Sequence, residues 1–376
     1  MPKELIVHPS IEAAEMADAP IPIPKDKEVV IKVVAAASNP KDWKFPHWKN
    51  WPHNSGDDMA GIVHSVGKDV YEFKPGDRVA ALHQAEKENG SYAEYSVALD
   101  WTTFHIPQNV TFEEGATIPV AALTAAVALY SDMKLPMPQD GPAPAAGNNK
   151  RPILIYGVTS AVGAFAAKLA RLSGLRPIIG VAGRAGDYAQ TLADYVVDYR
   201  RGEDAVVRHV EEILEKEGLG SKIMHVFDAI SEGGTLETTL RFLDTNGGVV
   251  GTVLPPDSFA RDKENFKYPP GVTAFHSYLP VVHSTRKDFG YLWSRYLGRL
   301  LEDGRLKAHP FEVVPGGLNG VLTGLQKLRD GKASAVKYVY RIEDTDDSLP
   351  TYPTPPPSSA RTEPHPLANV QFPSII

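Results

Sequence analysis

The sequence predicts an α/β protein with two domains, one rich in β-strands and one built on a doubly wound parallel sheet. The chain has 376 residues, of which 43% are hydrophobic, so it can bury more than one core. Short β-branched or alternating runs, separated by Gly, Pro and Asp turns, fill residues 28–106. From Ile153 onward, strand-like runs such as ILIYG alternate with helix-like runs such as FAAKLARLSG, which is typical of parallel sheets covered by helices.

Changes in composition indicate where the domains begin and end. An Ala-rich stretch with helical periodicity follows Pro119 and leads out of the β-rich region. The segment 136–152 is loaded with Pro, Gly, Ala and Asn, which predicts a surface connection. The expected limits are 1–140 for the first part of the β-rich domain, 152–275 for the doubly wound domain, 276–344 for a return to the first domain, and 345–376 for a Pro-rich tail.

Composition also argues against several function classes. Because the chain has no cysteine, it has no disulfide, thiolate nucleophile, iron–sulfur cluster or sulfur-ligated zinc. A net charge of −7 gives no overall basic surface for nucleic acid or an anionic membrane. The sequence shows neither a charged leader before an apolar run nor an apolar stretch of membrane-spanning length. We therefore expect a cytoplasmic protein, either a monomer or a homodimer.

The stretch YGVTSAVG, residues 156–163, is the main candidate for a ligand site. Its glycines permit a tight turn after a strand and a close approach of the following helix to the sheet. The free N–H groups at the start of a helix bind phosphate groups. The alternative is a plain connecting turn, but the strand–helix–strand context favours a dinucleotide site formed by Gly157, Thr159, Ser160, Ala161, Val162 and Gly163.

The end of the next strand indicates which dinucleotide binds. NAD sites place an acidic residue there, whereas a basic residue accommodates a 2′-phosphate. The run PIIGVAGRAGDY has no acid at its strand end and offers Arg184, which predicts NADPH. Solvated surface charge is the alternative for the basic residues. The remaining cofactor candidates lie on or after neighbouring elements: Lys168, Arg171, Tyr199, Arg200 and Leu254.

Several blocks, in this order, resemble the medium-chain dehydrogenase/reductase superfamily: SNPKDWK, GDDMAGIVHSVGKDVYEFKPGDRVAAL, GSYAEYSVA, ATIPVAALTAAVAL and the glycine turn. The resemblance implies a GroES-like catalytic domain and a Rossmann nucleotide-binding domain. Alcohol dehydrogenases of this superfamily bind a catalytic zinc through a Cys in the first block and a His in the second. Asn39 and Asp57 take these positions here. The resemblance therefore implies the zinc-independent branch of quinone oxidoreductases and enoyl reductases, with no metal.

Within that branch, NPKDWK, the Pro-rich connection and the ending VVPGGLNGVLTGLQKLRDGKASAVKYVYRI look like the stand-alone enoyl reductases that work in trans with fungal polyketide synthases. This implies NADPH-dependent reduction of α,β-unsaturated thioesters held on an acyl carrier, in secondary metabolism. It also implies Lys44 and Thr124 at the developing enolate and Asn39 at the nicotinamide edge. Trp43 and Tyr278 are expected to line the acyl pocket.

Other interpretations stay open for these residues and for the activity. Lys44 is alternatively a surface lysine, and Thr124 a helix threonine bonded to its own backbone. Residues 43–51 are expected to form a loop, and its three tryptophans and one phenylalanine are alternatively ordinary packing over the β-rich domain. Asp57 and Asp58 are expected to hold a turn. A quinone oxidoreductase or 2-alkenal reductase needs the same cofactor site, and a catalytically silent dinucleotide-binding partner protein would keep the glycine turn.

Overall fold

The computed structural model describes residues 1–138 and 150–346, which divide into two compact units. One unit comprises Met1–Leu123 and the described residues from Pro280 onward, and the other is Thr124–Leu279. The predicted connection at 136–152 lies largely, and the predicted Pro-rich tail almost wholly, outside the described residues.

The first unit is mostly antiparallel β-structure. Its central strand, β3, is buried along most of its length because it pairs with three other strands, β4, β6 and β15. The seven-stranded sheet has the order β14-β15-β3-β4-β5-β7 with β6 paired to β3, and β1 and β2 form a separate antiparallel pair. Numbered in chain order, these strands are β1 Lys3–Val7, β2 Ala14–Asp18, β3 Glu28–Ala37, β4 Asp58–Val66, β5 Arg78–Leu82, β6 Tyr95–Leu99, β7 Thr103–His105, β14 Phe311–Val313 and β15 Lys337–Arg341.

The first unit also carries helices at its sheet ends and edges. They are α1 Pro40–Lys49, α2 Phe112–Ala116, α9 Lys287–Glu302 and α10 Val321–Arg329. A further helix, α3 Pro119–Ala126, crosses the limit between the units and continues into a π-helical turn, Val127–Asp132.

The second unit is a six-stranded, fully parallel sheet with the order β10-β9-β8-β11-β12-β13. Its strands are β8 Ile153–Tyr156, β9 Ile178–Ala182, β10 Tyr195–Asp198, β11 His225–Asp228, β12 Val249–Thr252 and β13 Thr273–His276. Its helices are α4 Ala161–Leu172, α5 Gly186–Leu192, α6 Glu203–Lys216, α7 Thr235–Phe242 and α8 Pro256–Phe259. The strand order reverses between β8 and β11, and ligands of such sheets bind at the carboxyl ends of strands at this point.

The predicted fold class is confirmed, since a β-rich unit and a doubly wound parallel sheet are both present. The short strands β1 and β2 had no counterpart in the sequence interpretation. Their five-residue runs KELIV and AEMAD have neither strong alternation nor β-branched enrichment throughout.

Candidate active site

Helix α1 presents Lys44 among aromatic rings. The helix begins after Asn39, where Pro40 fixes the first helical residue and the Asp42 carboxylate accepts the Asn39 backbone N–H at 2.8 Å. The Lys44 side chain is buried, and its ammonium lies 5.6 Å from the Trp43 ring centroid and 5.9 Å from that of Trp48. Cation–π attraction stabilises an ammonium in such a desolvated position. The structure thus places Trp43 directly beside Lys44.

A second buried cluster lies one turn before Lys44. The Lys41 ammonium contacts Asp57 at 2.5 Å, Asp42 at 3.0 Å and the Ser55 carbonyl oxygen at 2.6 Å. His83 Nδ1 lies 3.0 Å from the other Asp57 oxygen. Burial opposes ionisation of Asp57, but Lys41 and His83 outweigh it and lower the pKa of this carboxyl. Burial raises the pKa of Asp42 to about 6 despite its contact with Lys41.

A third cluster joins the starts of four elements. Asn39 donates from Nδ2 to Asp58 Oδ2 at 2.8 Å, and its oxygen accepts from the Lys337 ammonium at 2.9 Å. Lys337 also pairs with Asp58, and Asp58 Oδ1 accepts the Val120 backbone N–H at 2.7 Å. Asp58 and Lys337 are 0% and 3% exposed. Asn39 therefore uses its amide oxygen and one amide N–H within the protein.

These clusters do not fit a zinc site at the positions where zinc enzymes of the superfamily hold their metal. Asn39 is bound to Asp58 and Lys337, and the Asp57 carboxylate is bound to an ammonium and to His83. Within residues 1–138 and 150–346, no group of three or more His, Cys, Asp or Glu side chains could hold a metal ion.

The glycine turn after β8, which is the candidate phosphate cradle, packs closely against its neighbours. Gly157 has φ 73°, and a Cβ there would lie 2.5 Å from Ile230 Cγ1. A Cβ at Gly163 would lie 2.2 Å from the Gly157 carbonyl oxygen, so only glycine lets α4 start this close to the turn. The Ser160 hydroxyl accepts the Gly163 N–H at 3.1 Å and caps α4. The half-buried residues of the turn and of this helix start are Thr159, Ser160, Ala161 and Val162.

The loop after β11 closes the opposite side of this turn. The buried Asp228 carboxylate accepts the Thr235 hydroxyl at 2.6 Å and the backbone N–H groups of Ile230 and Ser231 at 3.0 and 2.9 Å. Burial raises the pKa of Asp228 to about 6, although these hydrogen bonds lower it in part. Ile230, which packs against Gly157, is thereby fixed at the point where the strand order reverses.

The basic residues near the dinucleotide turn differ in what they contact. Arg184 follows β9 and is exposed, and the ring of Tyr199 lies against Gly183, where a Cβ would be 2.6 Å from Tyr199 Cε1. Arg200, in contrast, forks onto the Asp198 carboxylate at 2.6 and 2.9 Å. Arg171 likewise pairs with Asp194. Arg200 and Arg171 are thus engaged by carboxylates, and the 2′-phosphate role of Arg184 and Tyr199 stays a prediction.

Three further predicted residues, Thr124, Leu254 and Tyr278, also lie in the second unit. Thr124 is a buried residue of α3, one turn after Val120. Leu254 is half-buried and follows β12 at the carboxyl edge of the parallel sheet. Tyr278 follows β13, with its ring centroid 6.2 Å from that of His276. Lys44, Trp43 and Asn39 belong to the first unit.

The chain is similar to known proteins along most of its length. Residues 25–108 match the alcohol dehydrogenase GroES-like domain family. The chain is 43% identical over 310 residues to trans-enoyl reductase fsr4 of Gibberella fujikuroi, covering 81% of this chain and 88% of that protein. It is 33% identical over 352 residues to trans-enoyl reductase resD of Aspergillus sclerotiorum, covering 88% and 97%.

The chain belongs to the trans-enoyl reductases of the medium-chain dehydrogenase/reductase superfamily. As a member of this family it is an oxidoreductase that uses a nicotinamide dinucleotide. Two solved structures share the fold of this trans-enoyl reductase at low identity. CurK enoyl reductase has a TM-score of 0.73 at 20% identity, covering 90% of this chain and 98% of that one. A quinone oxidoreductase of Pseudomonas syringae pv. tomato has a TM-score of 0.70 at 20% identity, covering 90% and 100%.

None of the helices described for this trans-enoyl reductase combines the length and the apolar character needed to cross a bilayer.

Sequence reasoning missed two residues of the first unit, Asp58 and Lys337. Asp58 was expected to hold a turn, but its carboxylate instead bonds Asn39, Val120 and Lys337. Lys337 lies 279 positions away from Asp58, and no local pattern marks it as a partner.

Proposed function

We propose that this trans-enoyl reductase uses NADPH to reduce the C=C bond of an α,β-unsaturated thioester carried on a polyketide synthase in secondary metabolism. The observation that carries the proposal is the 43% identity to trans-enoyl reductase fsr4, maintained over 81% of the chain. The substrate is the acyl thioester, and the synthase that carries it is the expected partner. Whether the enzyme is a monomer or a homodimer stays a prediction.

NADPH is proposed over NADH because of the side chains after β9 and β10. Arg184 follows β9 directly, with no carboxylate between it and the strand end, and a guanidinium suits a 2′-phosphate. The Asp198 carboxylate at the end of β10 is forked onto Arg200, which lowers its pKa to about 2. Tyr199 packs on Gly183 beside Arg184 and is proposed to contact the same phosphate.

The glycine turn is proposed to hold the pyrophosphate, and Leu254 to border the nicotinamide half of the cofactor. The α4 N-terminus lies at this turn, and a helix start offers backbone N–H groups and a partial positive charge to phosphate groups. When bound, the reduced dinucleotide supplies a hydride to the β-carbon of the substrate. The C=C electron pair then moves to the thioester oxygen as an enolate, and a proton is added at the α-carbon.

Lys44 is proposed to stabilise that enolate by donating from its ammonium, or to protonate the α-carbon afterwards. Its burial beside two indole rings keeps the charge out of bulk water. Electrostatic stabilisation of the enolate is stronger in such a water-excluded position than in bulk water. The Thr124 hydroxyl is proposed as a second donor near the reacting carbonyl. Asn39 is proposed to orient the nicotinamide edge through the part of its amide not used by Asp58 and Lys337.

Trp43 and Tyr278 are proposed to line the pocket for the acyl chain. Both are aromatic and half-buried, so each can present ring surface to an apolar ligand. Trp43 also contacts the Lys44 ammonium, which would place the acyl chain next to the enolate-stabilising charge.

A substrate panel tests the proposed function. Purified full-length protein is assayed for oxidation of NADPH and of NADH with crotonyl N-acetylcysteamine thioester, a simple enone and a simple quinone. We expect the highest kcat/KM for NADPH with the thioester. Turnover with quinones alone would indicate an NADPH:quinone oxidoreductase, and turnover with the free enone alone a 2-alkenal reductase. Tight NADPH binding without turnover on any acceptor would indicate a catalytically silent partner protein.

A further inference from the structure

Asp58 joins the starts of two helices through one buried carboxylate. Oδ1 accepts the N–H of Val120, the second residue of α3, at 2.7 Å. Oδ2 accepts an amide N–H of Asn39, the residue before α1, at 2.8 Å. The Val120 N–H belongs to the first turn of α3 and has no partner within the helix, so the carboxylate fixes that helix start and matches its dipole. At α1 the bond is to the side-chain amide of Asn39, the residue that precedes the helix.

Strand register explains why these groups meet. Ala37, at the end of β3, lies opposite Asp58 on β4 and opposite Val339 on β15. Continuing the β3–β15 register by two residues places Asn39 across from Lys337. Lys337 completes the cluster by pairing with Asp58 and donating to the Asn39 oxygen at 2.9 Å. Its charge balances a carboxylate that is 0% exposed.

We propose that Asp58 is a positioning residue for the reduction, with Lys337 as its charge partner. The inference rests on the proposed function for its assignment of Lys44 and Thr124. Lys44 lies five residues after Asn39 on α1, and Thr124 lies one turn after Val120 on α3. Each helix is rigid over this distance, so a shift of its first turn moves the side chain that it carries. A displacement of about 1 Å at a reacting group can lower a rate about 100-fold.

Two double variants separate this role from simple charge balance. Asp58→Asn/Lys337→Met and Asp58→Leu/Lys337→Met both remove both charges and nearly conserve side-chain volume. The asparagine variant keeps an oxygen for the Val120 N–H, and its amide N–H can bond the Asn39 oxygen that Lys337 has released. The leucine variant can form neither bond. If the cluster only balances charge, the two variants behave alike.

The measurements are kcat and KM with crotonyl thioester, the NADPH dissociation constant, and hydrogen exchange of peptides covering 39–49 and 119–126. For the asparagine variant we expect kcat within about 3-fold of the wild type. For the leucine variant we expect kcat to fall at least about 10-fold, with an NADPH dissociation constant within about 2-fold of the wild type. Exchange at both helix starts should accelerate only in the leucine variant.

Lys327→Met is the matched control, because Lys327 belongs to an exposed pair with Glu312 in the same unit. The inference would be overturned if the two double variants had equal kcat values. It would also be overturned if they showed equal hydrogen-exchange rates at each helix start. If the leucine variant does not fold, Asp58→Ser/Lys337→Met replaces it, since the shorter hydroxyl cannot span both bonds. If the wild type reduces no thioester, the proposed function fails, and hydrogen exchange alone still decides whether Asp58 holds both helices.

Discussion

The Lys41 ammonium lies 2.5 Å from one oxygen of the Asp57 carboxylate, whose other oxygen lies 3.0 Å from His83. Asp57 stands where zinc enzymes of the superfamily place a histidine ligand, and the cation beside it here is a side-chain ammonium. Lys41 also contacts Asp42, so it separates two buried carboxylates. The first turn of α1 thus depends on this one charge.

We expect Lys41→Met to destabilise the protein by about 3 kcal/mol, because it leaves Asp42 and Asp57 buried without their cation. Urea unfolding at pH 7 measures this effect. Lys74→Met is the control, since Lys74 forms an exposed pair with Asp77 and its loss should cost less than about 1 kcal/mol. Equal losses in the two variants would show that Lys41 carries no special role.

Asp228 gives the protein a pH dependence between the ordinary aspartate pKa of 3.8 and its folded value of about 6. Because the folded pKa is raised, the unfolded chain ionises this group first, and stability falls as pH rises through that window. The full effect is about 3 kcal/mol. We expect the stability of Asp228→Asn relative to the wild type to increase from pH 4 to pH 6.5.

Urea unfolding across that pH range checks the Asp228 prediction. Asp257→Asn, at an exposed position of the same unit, should show no such trend relative to the wild type. A constant difference between Asp228→Asn and the wild type at all pH values would mean that burial does not govern this carboxyl.

Arg184 is expected to select the phosphorylated cofactor. Loss of a charge-assisted hydrogen bond costs about 1.5–3 kcal/mol, so Arg184→Gln should weaken NADPH binding about 10- to 100-fold and leave NADH binding unchanged. Titration of both nucleotides by fluorescence measures the two constants. Arg176→Gln, before β9 at the amino edge of the sheet, is the control that should alter neither. Parallel weakening of NADH and NADPH would remove the 2′-phosphate role.

Gly163 tests the close approach of α4 to the cradle. An alanine Cβ there would lie 2.2 Å from the Gly157 carbonyl oxygen, a backbone atom that cannot rotate away. Gly163→Ala should therefore weaken both nucleotides at least about 10-fold by displacing the α4 N-terminus. Gly186→Ala, where a Cβ meets no atom within 4 Å, should leave binding intact. Wild-type affinity in Gly163→Ala would contradict the cradle.

Short-range sequence patterns made much of the second unit predictable. The glycine turn and the alternation after Ile153 are short-range patterns, and both predicted the parallel sheet from sequence alone. Arg200 was predicted as a phosphate candidate from its place after a strand. The structure shows that the preceding Asp198 engages it, a contact that depends on the tight turn at Tyr199.

Long-range contacts account for what the sequence did not reveal. Asp58 and Lys337 meet only because β4 and β15 both flank β3, and no spacing in the chain encodes that register. The segment around Lys44 was expected to be a loop, but it forms α1, in which Lys44 and Trp48 at positions i and i+4 face the same side. Tertiary packing determines that the Lys44 side chain of this helix is buried.

The most direct test of the central claim follows deuterium from NADPH into the product. Full-length enzyme is incubated with crotonyl thioester and NADPH deuterated at the transferring C4 position, and the product is examined by NMR and mass spectrometry. We expect one deuterium at the β-carbon and one solvent-derived proton at the α-carbon of the product. We also expect Lys44→Met to lower kcat at least about 10-fold with unchanged NADPH affinity. The control Lys49→Met should leave both kcat and NADPH affinity unchanged. A reduced product without deuterium at the β-carbon, or full activity in Lys44→Met, would contradict the central claim.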